Sequence, residues 1–304
     1  MKAAVYSQYG PPEVLQIRDI PKPVPKKNEV LIEVHAATVA AGDWRIRKAD
    51  PPVIRLINGI FRPRKKVLGM EIAGRVVALG GPKASRFSIG QRVFGSAGMR
   101  FGAYGEYCCL PESKGLLALP DDVSYEHGAA LPIGANTALY YLREKAGIQP
   151  GQSILIYGAS GSVGTYAVQL ATHFGATVTA VTSTDNLKWV KDFGAHEVVD
   201  YKADHWSRSL SKFDIVFDAV GKLDKQIRRS FLDNQGKYIS VDRGLARIRM
   251  ENLEWLIALV KNGIITPVIE KTYPLDKIAE AHAHAEAGHK KGNIVIQVYQ
   301  GHNE

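Results

Sequence analysis

The chain has 304 residues, 45% of them hydrophobic, with a formal net charge of +9 and a sequence pI near 9.4. That apolar content is enough for two cored domains, and no apolar run reaches membrane-spanning length. The only cysteines are the adjacent Cys108 and Cys109, which excludes a disulfide framework or a multi-cysteine zinc site and suits a reducing, cytoplasmic setting.

The N-terminus, Met1-Lys2-Ala3-Ala4-Val5-Tyr6, lacks the apolar core of a signal peptide and reads as a first strand. Further strands are expected at residues 14–20, 29–37, 70–80, 91–95 and 104–110, separated by Gly, Pro and Asp/Ser clusters. Arg62-Pro63-Arg64-Lys65-Lys66 is the one dense basic run, read as a solvated loop that could otherwise attract an anionic cofactor or nucleic acid. Residues 124–127 open a bridging region with Ser124 as a helix N-cap. A helix over 136–145 then ends at Gly147, before the Pro150-Gly151 turn.

Beyond residue 150 the pattern changes. Ser153-Ile154-Leu155-Ile156-Tyr157 is a buried strand, and Gly158-Ala159-Ser160-Gly161-Ser162-Val163-Gly164 turns it into a helix carrying Ala167, Leu170, Ala171 and Phe174 on its apolar face. In this turn Gly158 lets the chain reverse, Gly161 lets backbone approach a pyrophosphate, and Gly164 lets helix and strand pack closely. The phosphates would rest on unpaired N–H groups at the helix start. The spacing is G-x-x-G-x-x-G rather than G-x-G-x-x-G, so its context has to support it. That context is a series of strands at 177–183, 197–201, 213–218 and 237–241, alternating with helical segments. The alternation implies a doubly wound parallel sheet of the α/β class. Later helices are expected over 251–261 and from Pro274 to Ala287, followed by a last strand at 293–298 that returns to the β-rich region. The two regions would leave a cleft suited to small ligands.

Several motifs, in order along nearly the whole chain, resemble the medium-chain dehydrogenase/reductase superfamily. The start, with Gly10-Pro11-Pro12-Glu13-Val14-Leu15, resembles its quinone oxidoreductase branch. Gly69-Met70-Glu71-Ile72-Ala73-Gly74 resembles G-H-E-x-x-G, and Gly102-Ala103-Tyr104-Gly105-Glu106-Tyr107 resembles G-A-Y-A-E-Y. Asn136-Thr137-Ala138, the loop from Gly158 to Gly164, and Gly194-Ala195 through Asp200-Tyr201 resemble further superfamily segments. The resemblance implies a discontinuous, mostly-β GroES-like catalytic domain over 1–122 and 265–304, and a Rossmann domain over 123–264. It also implies a homodimer joined through the edge strand at 237–241.

The departures matter as much. Zinc-dependent members hold metal at three positions that here appear as Ala40, Met70 and Ile133, none a usual zinc ligand, and the four-cysteine structural loop has no counterpart. No metal is therefore expected. The branch also often carries Asn where this chain has Ala40.

NAD-dependent enzymes place an acidic residue at the end of the second strand, where this chain has Ser183. A small hydroxyl leaves room for a 2′-phosphate, so NADPH is the expected cofactor, with Asp185 pointing to solvent. By resemblance Ser183, Asn186 and Tyr201 contact that phosphate, with Lys188 a possible addition. Thr137, Val220 and Gly221 would line the nicotinamide end, and Gly158, Ser160, Gly161, Ser162, Val163 and Gly164 the pyrophosphate.

Without a metal to polarise it, the acceptor should already be electrophilic, a quinone or an enone. Donors to its developing oxyanion are sought in Trp44, Arg47 and Tyr104, with no assigned general acid. His282 and His284 stand two apart on a predicted helix, so they face apart and read as surface or helix-end residues. Two alternatives stay open: a zinc-free alcohol dehydrogenase or aldehyde reductase, and a non-catalytic NADPH-binding sensor or RNA-binding protein. No interleaved basic–aromatic patch is visible, so no nucleic-acid partner is expected, and no membrane partner.

Overall fold

The computed structural model describes residues 1–81, 85–208, 210–244 and 246–299. Strand β1 (Lys2–Val5) pairs antiparallel with β2 (Gln16–Asp19). Strand β3 (Glu29–Thr38) leads into helices α1 (Ala41–Lys48) and α2 (Ile54–Asn58). Strands β4 (Glu71–Leu79), β5 (Arg92–Ser96), β6 (Tyr107–Pro111) and β7 (Leu116–Ala118) follow. Helix α3 (Tyr125–Ala129) starts on Ser124, whose hydroxyl accepts the His127 N–H at 3.1 Å. Helix α4 (Gly134–Leu139) continues as a wider turn over Tyr140–Ala146 and stops at left-handed Gly147.

The alternating region begins with β8 (Ser153–Tyr157), α5 (Ser162–His173), β9 (Thr177–Thr182), α6 (Leu187–Lys191) and β10 (Glu197–Asp200). It closes with β11 (Phe213–Asp218), α7 (Lys225–Phe231) and β12 (Leu232–Ser240). Then come α8 (Met250–Lys261), β13 (Ile269–Pro274), α9 (Ile278–Glu286) and β14 (Asn293–Gln297).

The chain divides into two compact units. One comprises Met1–Ile133, Arg249–Ile257 and the chain from Ile269 onward; the other comprises Gly134–Ile248 and Ala258–Val268. The sequence reading cuts at 122/123 and 264/265, whereas the contacts divide the chain at 133/134, 248/249, 257/258 (within α8) and 268/269.

The first unit holds a seven-stranded sheet ordered β13-β14-β3-β4-β5-β7, with β6 also pairing β3. Strand β3 is its spine, and its apolar run is buried on both faces. Ile32, Leu68, Ile72, Leu110, Ile294 and Ile296 pack into one core. Each loses most of its water-accessible surface, which is the main stabilising term here.

The second unit holds a five-stranded, all-parallel sheet ordered β10-β9-β8-β11-β12, with Leu155, Val181, Val216, Phe213 and Phe231 in its core. The expected edge segment lies in β12, at the end of that order. This strand starts earlier than expected, because a register shift between its pairings with Phe213 and Ile215 takes in residues 232–236.

Among the elements that escape the sequence reading, three show why. Strand β13 has a single buried residue, Tyr273, so it shows no hydrophobic alternation. Strand β7 has only three residues. Helix α1 buries a charged pair, Asp43 and Arg47, where an apolar stripe would be sought. Among the described residues no helix is long and apolar enough to cross a membrane, and no group of three or more His, Cys, Asp or Glu side chains could hold a metal ion.

Candidate cofactor loop and buried polar cluster

The glycine turn between β8 and α5 meets the requirements of a phosphate cradle one residue at a time. Gly158 has φ +79°, and a Cβ there would lie 2.2 Å from the Val220 side chain, so glycine is needed for both conformation and space. A Cβ at Gly164 would lie 2.1 Å from the Gly158 carbonyl oxygen and 2.8 Å from the Ala159 Cα, so glycine alone allows α5 to sit on the turn. Gly161 is different. Its backbone is extended, and its absent Cβ would meet only one atom, 3.6 Å away. The space a side chain would fill is left open just where the first-turn N–H groups of α5 have no intrahelical acceptor. Backbone and space thus fit a bound pyrophosphate. Ser160, Gly161, Ser162 and Val163 are half-buried on this rim. Thr137 is half-buried on α4, a helix that approaches α5 closely because Gly134 leaves its Cβ position 2.5 Å from the Ser162 hydroxyl.

At the end of β9, Ser183 is half-buried and Asp185 exposed. Asn186 is buried, and its side-chain amide donates to the Ser183 Oγ at 2.9 Å while its oxygen accepts the Trp189 indole N–H at 3.0 Å. Asn186 therefore holds the Ser183 hydroxyl, leaving that hydroxyl's own proton to point elsewhere. The bond to Ser183 uses one of the two amide hydrogens, so the second stays available for the expected direct contact with a 2′-phosphate. Tyr201 is half-buried beside Tyr157, with ring centroids 6.1 Å apart, and Lys188 is exposed. Thr184 donates to the Asp200 carboxylate, and this bond with the Lys202 N–H holds Asp200 below the usual carboxylate range.

The turn after β11 is organised by Asp218, which sequence reading did not single out. Its buried carboxylate accepts the N–H groups of Val220, Gly221 and Leu223 at 3.0, 2.8 and 2.7 Å, and the Tyr238 hydroxyl at 3.1 Å. Gly221 takes φ +79°, and Val220 stands 43% exposed. An aspartate at a strand end followed by A-V-G is the available signal, since such a carboxylate commonly caps a turn.

The polar chemistry of the first unit is inside its core. Asp43, Arg47, Tyr104 and His282 are all fully buried. Asp43 reaches back to the Ala40 N–H at 3.0 Å and caps α1. Burial, with Glu71 nearby, pushes its carboxyl up to about 7, against the pull of the Ala40 and Gly69 amides and Tyr104. Glu71 accepts the Thr38 hydroxyl and the Ile133 N–H, the latter at 2.7 Å. Burial pushes it too to about 7. The Tyr104 hydroxyl donates to the Thr38 carbonyl at 2.9 Å. Arg47 pairs with Glu286, which Lys48 also reaches at 2.8 Å, while the Arg47 Nε and Nη1 have no partner among the described residues. His282 lies edge-on to Tyr104, with ring centroids 5.5 Å apart, and neither ring nitrogen has a partner among the described residues. Burial, with Arg47 nearby, pulls it down to about 3.

Two expectations change here. Arg47 and Tyr104, sought as donors to an acceptor, have no exposed surface; a guanidinium and a phenol inside the core hold elements together. Trp44 is half-buried, with the Arg45 guanidinium 5.4 Å from its ring. His282 is not a surface residue, because α9 turns it toward Tyr104. His284 does face elsewhere, toward the Tyr273 hydroxyl at 3.0 Å and Glu270 at 3.2 Å. A lone histidine at i, i+2 spacing carries no signal for which of the two is buried.

The positions that would carry zinc gather at the same carboxylates. The Ala40 N–H binds Asp43, the Ile133 N–H binds Glu71, and Met70 precedes Glu71. Their side chains are a methyl, an alkyl group and a thioether, so this donor set does not fit zinc.

A glycine cradle on a parallel sheet, joined to a β-rich unit built on a long central strand, defines a nicotinamide-dependent oxidoreductase of two-unit design. The GroES-like domain of alcohol dehydrogenases matches residues 26–121, and zinc-binding dehydrogenase domains match 162–245 and 244–296. The chain is 32% identical to the chloroplast envelope quinone oxidoreductase homolog of Arabidopsis thaliana, over 98% of both chains. It is 30% identical to that plant's chloroplastic NADPH-dependent alkenal/one oxidoreductase, over 97% of this chain and 79% of the relative. The quinone oxidoreductase structure from Coxiella burnetii superposes with a TM-score of 0.88 at 28% identity, covering 98% of this chain and 99% of the other. A mycobacterial protein complexed with NADPH superposes at 0.81 with 27% identity, covering 98% and 100%. The chain belongs to the medium-chain dehydrogenase/reductase family, in its quinone oxidoreductase-like branch. It is an oxidoreductase acting on a small molecule.

Proposed function

We propose that the protein is an NADPH-dependent, zinc-independent reductase of quinones or enones. The observation that carries the reading is the cradle at Gly158, Gly161 and Gly164, ending one strand away from Ser183 instead of an acidic residue. When bound, the reduced nicotinamide supplies a hydride. The α5 N-terminus holds the pyrophosphate. Ser183, fixed by Asn186, donates to the 2′-phosphate, with Lys188 and Tyr201 beside it. An aspartate or glutamate at position 183 would repel that phosphate and favour NADH.

Thr137, Val220 and Gly221 shape the nicotinamide end, and the Asp218 carboxylate fixes the last two. Trp44, whose indole N–H is a donor, is the candidate for meeting the acceptor oxygen as charge develops. Arg47, Asp43 and Tyr104 are positioning residues that hold α1 and therefore Trp44. The relatives named for quinones and for alkenals and enones support electrophilic acceptors. Two such protomers would join through the edge strand β12 as a homodimer. The unpaired Cys108 and Cys109 suit a reducing, cytoplasmic compartment.

The test is oxidation of NADPH, followed by absorbance, against an ortho-quinone, an enone and an aldehyde. The reading predicts turnover with the first two and little with the aldehyde, and a weaker KM for NADPH than NADH would contradict the cofactor assignment. Preference for the aldehyde would instead favour an aldehyde reductase.

A further inference from the structure

Residues 51–66 of the first unit join two properties that rarely coexist by accident. Val53, Leu56, Ile57, Ile60 and Phe61 are 55%, 70%, 63%, 56% and 89% exposed. Five large apolar side chains, each more than half in water, fall within nine residues of one short segment, an apolar exposure of the kind that marks an interaction site. The same stretch carries Arg55, Arg62, Arg64, Lys65 and Lys66, all exposed, and no acidic residue stands between Asp50 and Glu71.

The segment is not exposed for lack of a fixed conformation. Asn58 is buried, donates to the Tyr6 hydroxyl at 2.8 Å and accepts the Lys65 N–H at 3.2 Å. Its carbonyl accepts the Arg64 N–H at 2.6 Å, and the Tyr9 hydroxyl donates to the Gly59 carbonyl at 2.7 Å. Gly59, at φ +119°, makes the turn between the two halves, where a Cβ would lie 2.2 Å from the Arg62 carbonyl. The base is pinned to the core through Asn58, Tyr6 and Tyr9, and the apolar residues are held outward from it.

We propose that this loop is a docking face for an anionic lipid bilayer surface. An aliphatic and phenylalanine tip fits the boundary between headgroups and acyl chains, and a basic flank with no carboxylate fits the phosphate layer above it. A second copy of the chain is a poorer occupant, because a self-complementary contact would bring the two basic flanks together. RNA is poorer too, since Phe61 alone offers a stacking surface in the segment. A docking face requires no membrane-spanning segment, so the absence of an apolar run long enough to span, from which no membrane partner was expected, does not bear on it. The proposal is independent of the acceptor that the enzyme reduces.

The test is co-sedimentation of the full chain with phosphatidylcholine vesicles, with and without phosphatidylglycerol. Binding is expected to the anionic vesicles only and to weaken as salt rises. Neutralising Arg62, Arg64, Lys65 and Lys66 to Gln should lower the partition coefficient by about two to three orders of magnitude. Replacing Leu56 and Phe61 by Ser should lower it by about tenfold or more. All six positions are exposed, so the thermal unfolding midpoint should stay close to wild type and serve as the control for folding. The proposal is overturned by wild-type protein that ignores anionic vesicles at low salt. It fails equally if the Leu56→Ser/Phe61→Ser variant binds as tightly as wild type. Light scattering in which those two substitutions dissolve a wild-type dimer would assign the face to a second copy instead.

Discussion

The two units handle polar chemistry in opposite ways. In the parallel-sheet unit the candidate site is made of small residues and backbone: Gly158, Ser160, Gly161 and Ser183 are half-buried on turns, Ser162 and the buried Gly164 open α5, and the carboxylate that shapes the turn after β11, Asp218, is itself buried. In the β-rich unit the residue types usually associated with chemistry, Asp43, Glu71, Arg47, Tyr104 and His282, are packed inside. Their environment keeps them close to neutral or paired. The comparison separates two jobs that residue type alone confuses. A ligand is met by whatever stands at the surface, often a backbone N–H; a buried ionisable side chain fixes the elements around it.

The first way to break the contrast is Gly164→Val. Its Cβ would lie 2.1 Å from the Gly158 carbonyl, so the turn must open at a cost of about 3 kcal/mol or more. NADPH binding, followed by nucleotide fluorescence, should fall below detection while the β-rich unit stays folded.

Next in size is Arg47→Met. It leaves Glu286 with only Lys48 and the core with a misfit, and should cost about 3 kcal/mol in urea unfolding. An unchanged unfolding midpoint together with a large loss of kcat would mean that Arg47 acts on the acceptor directly, and the contrast would collapse.

The pH dependence sharpens the same point. Asp43 and Glu71 sit at about 7 in the folded chain, above their ordinary 3.8 and 4.5. The folded state therefore keeps protons that the unfolded chain has lost. The stability they contribute is fully present below about pH 4 and is lost as pH rises through about 7. His282, pulled from 6.5 to about 3, acts in the other sense: its contribution is present above about pH 6.5 and is lost as pH falls toward 3. Asp43→Asn should flatten the loss between about pH 4 and 7 by on the order of 2 kcal/mol, measured by denaturant unfolding across that range. An unaltered slope would show that Asp43 is ionised in the core.

The smallest expected effect is Asn186→Ala. It removes the bond that orients Ser183, and should weaken NADPH by about tenfold while leaving NADH nearly unchanged. Equal weakening of both nucleotides would point to a structural role in α6.

Legibility in the sequence follows from the same division. Gly158 and Gly164 could be read because their constraint is local: the turn's own backbone and the strand beside it require them. The parallel sheet and its edge strand were legible through the alternation of strands and helices. Ser183 was legible as a position, but the bonds that tie Asn186 to Ser183 and Trp189 were not, because nothing in the spacing marks them. His282 was misread, since its burial depends on Tyr104 and Arg47, both more than 150 residues away in the chain. Strand β13 was missed because only one of its six residues is buried. In the loop at 51–66 only the basic run at 62–66 was legible; the exposed apolar tip depends on the pinning of Asn58 to Tyr6, again a contact between distant residues.

The central claim is metal-independent hydride transfer from NADPH to an electrophilic acceptor. Its most direct test is the rate of NADPH oxidation with an ortho-quinone, in protein exhaustively treated with chelator and in untreated protein. The account predicts the same turnover in both, because Ala40, Met70 and Ile133 offer no ligand set for zinc. Turnover abolished by chelator and restored by zinc would contradict it, and so would saturable NADPH binding with no turnover of any acceptor.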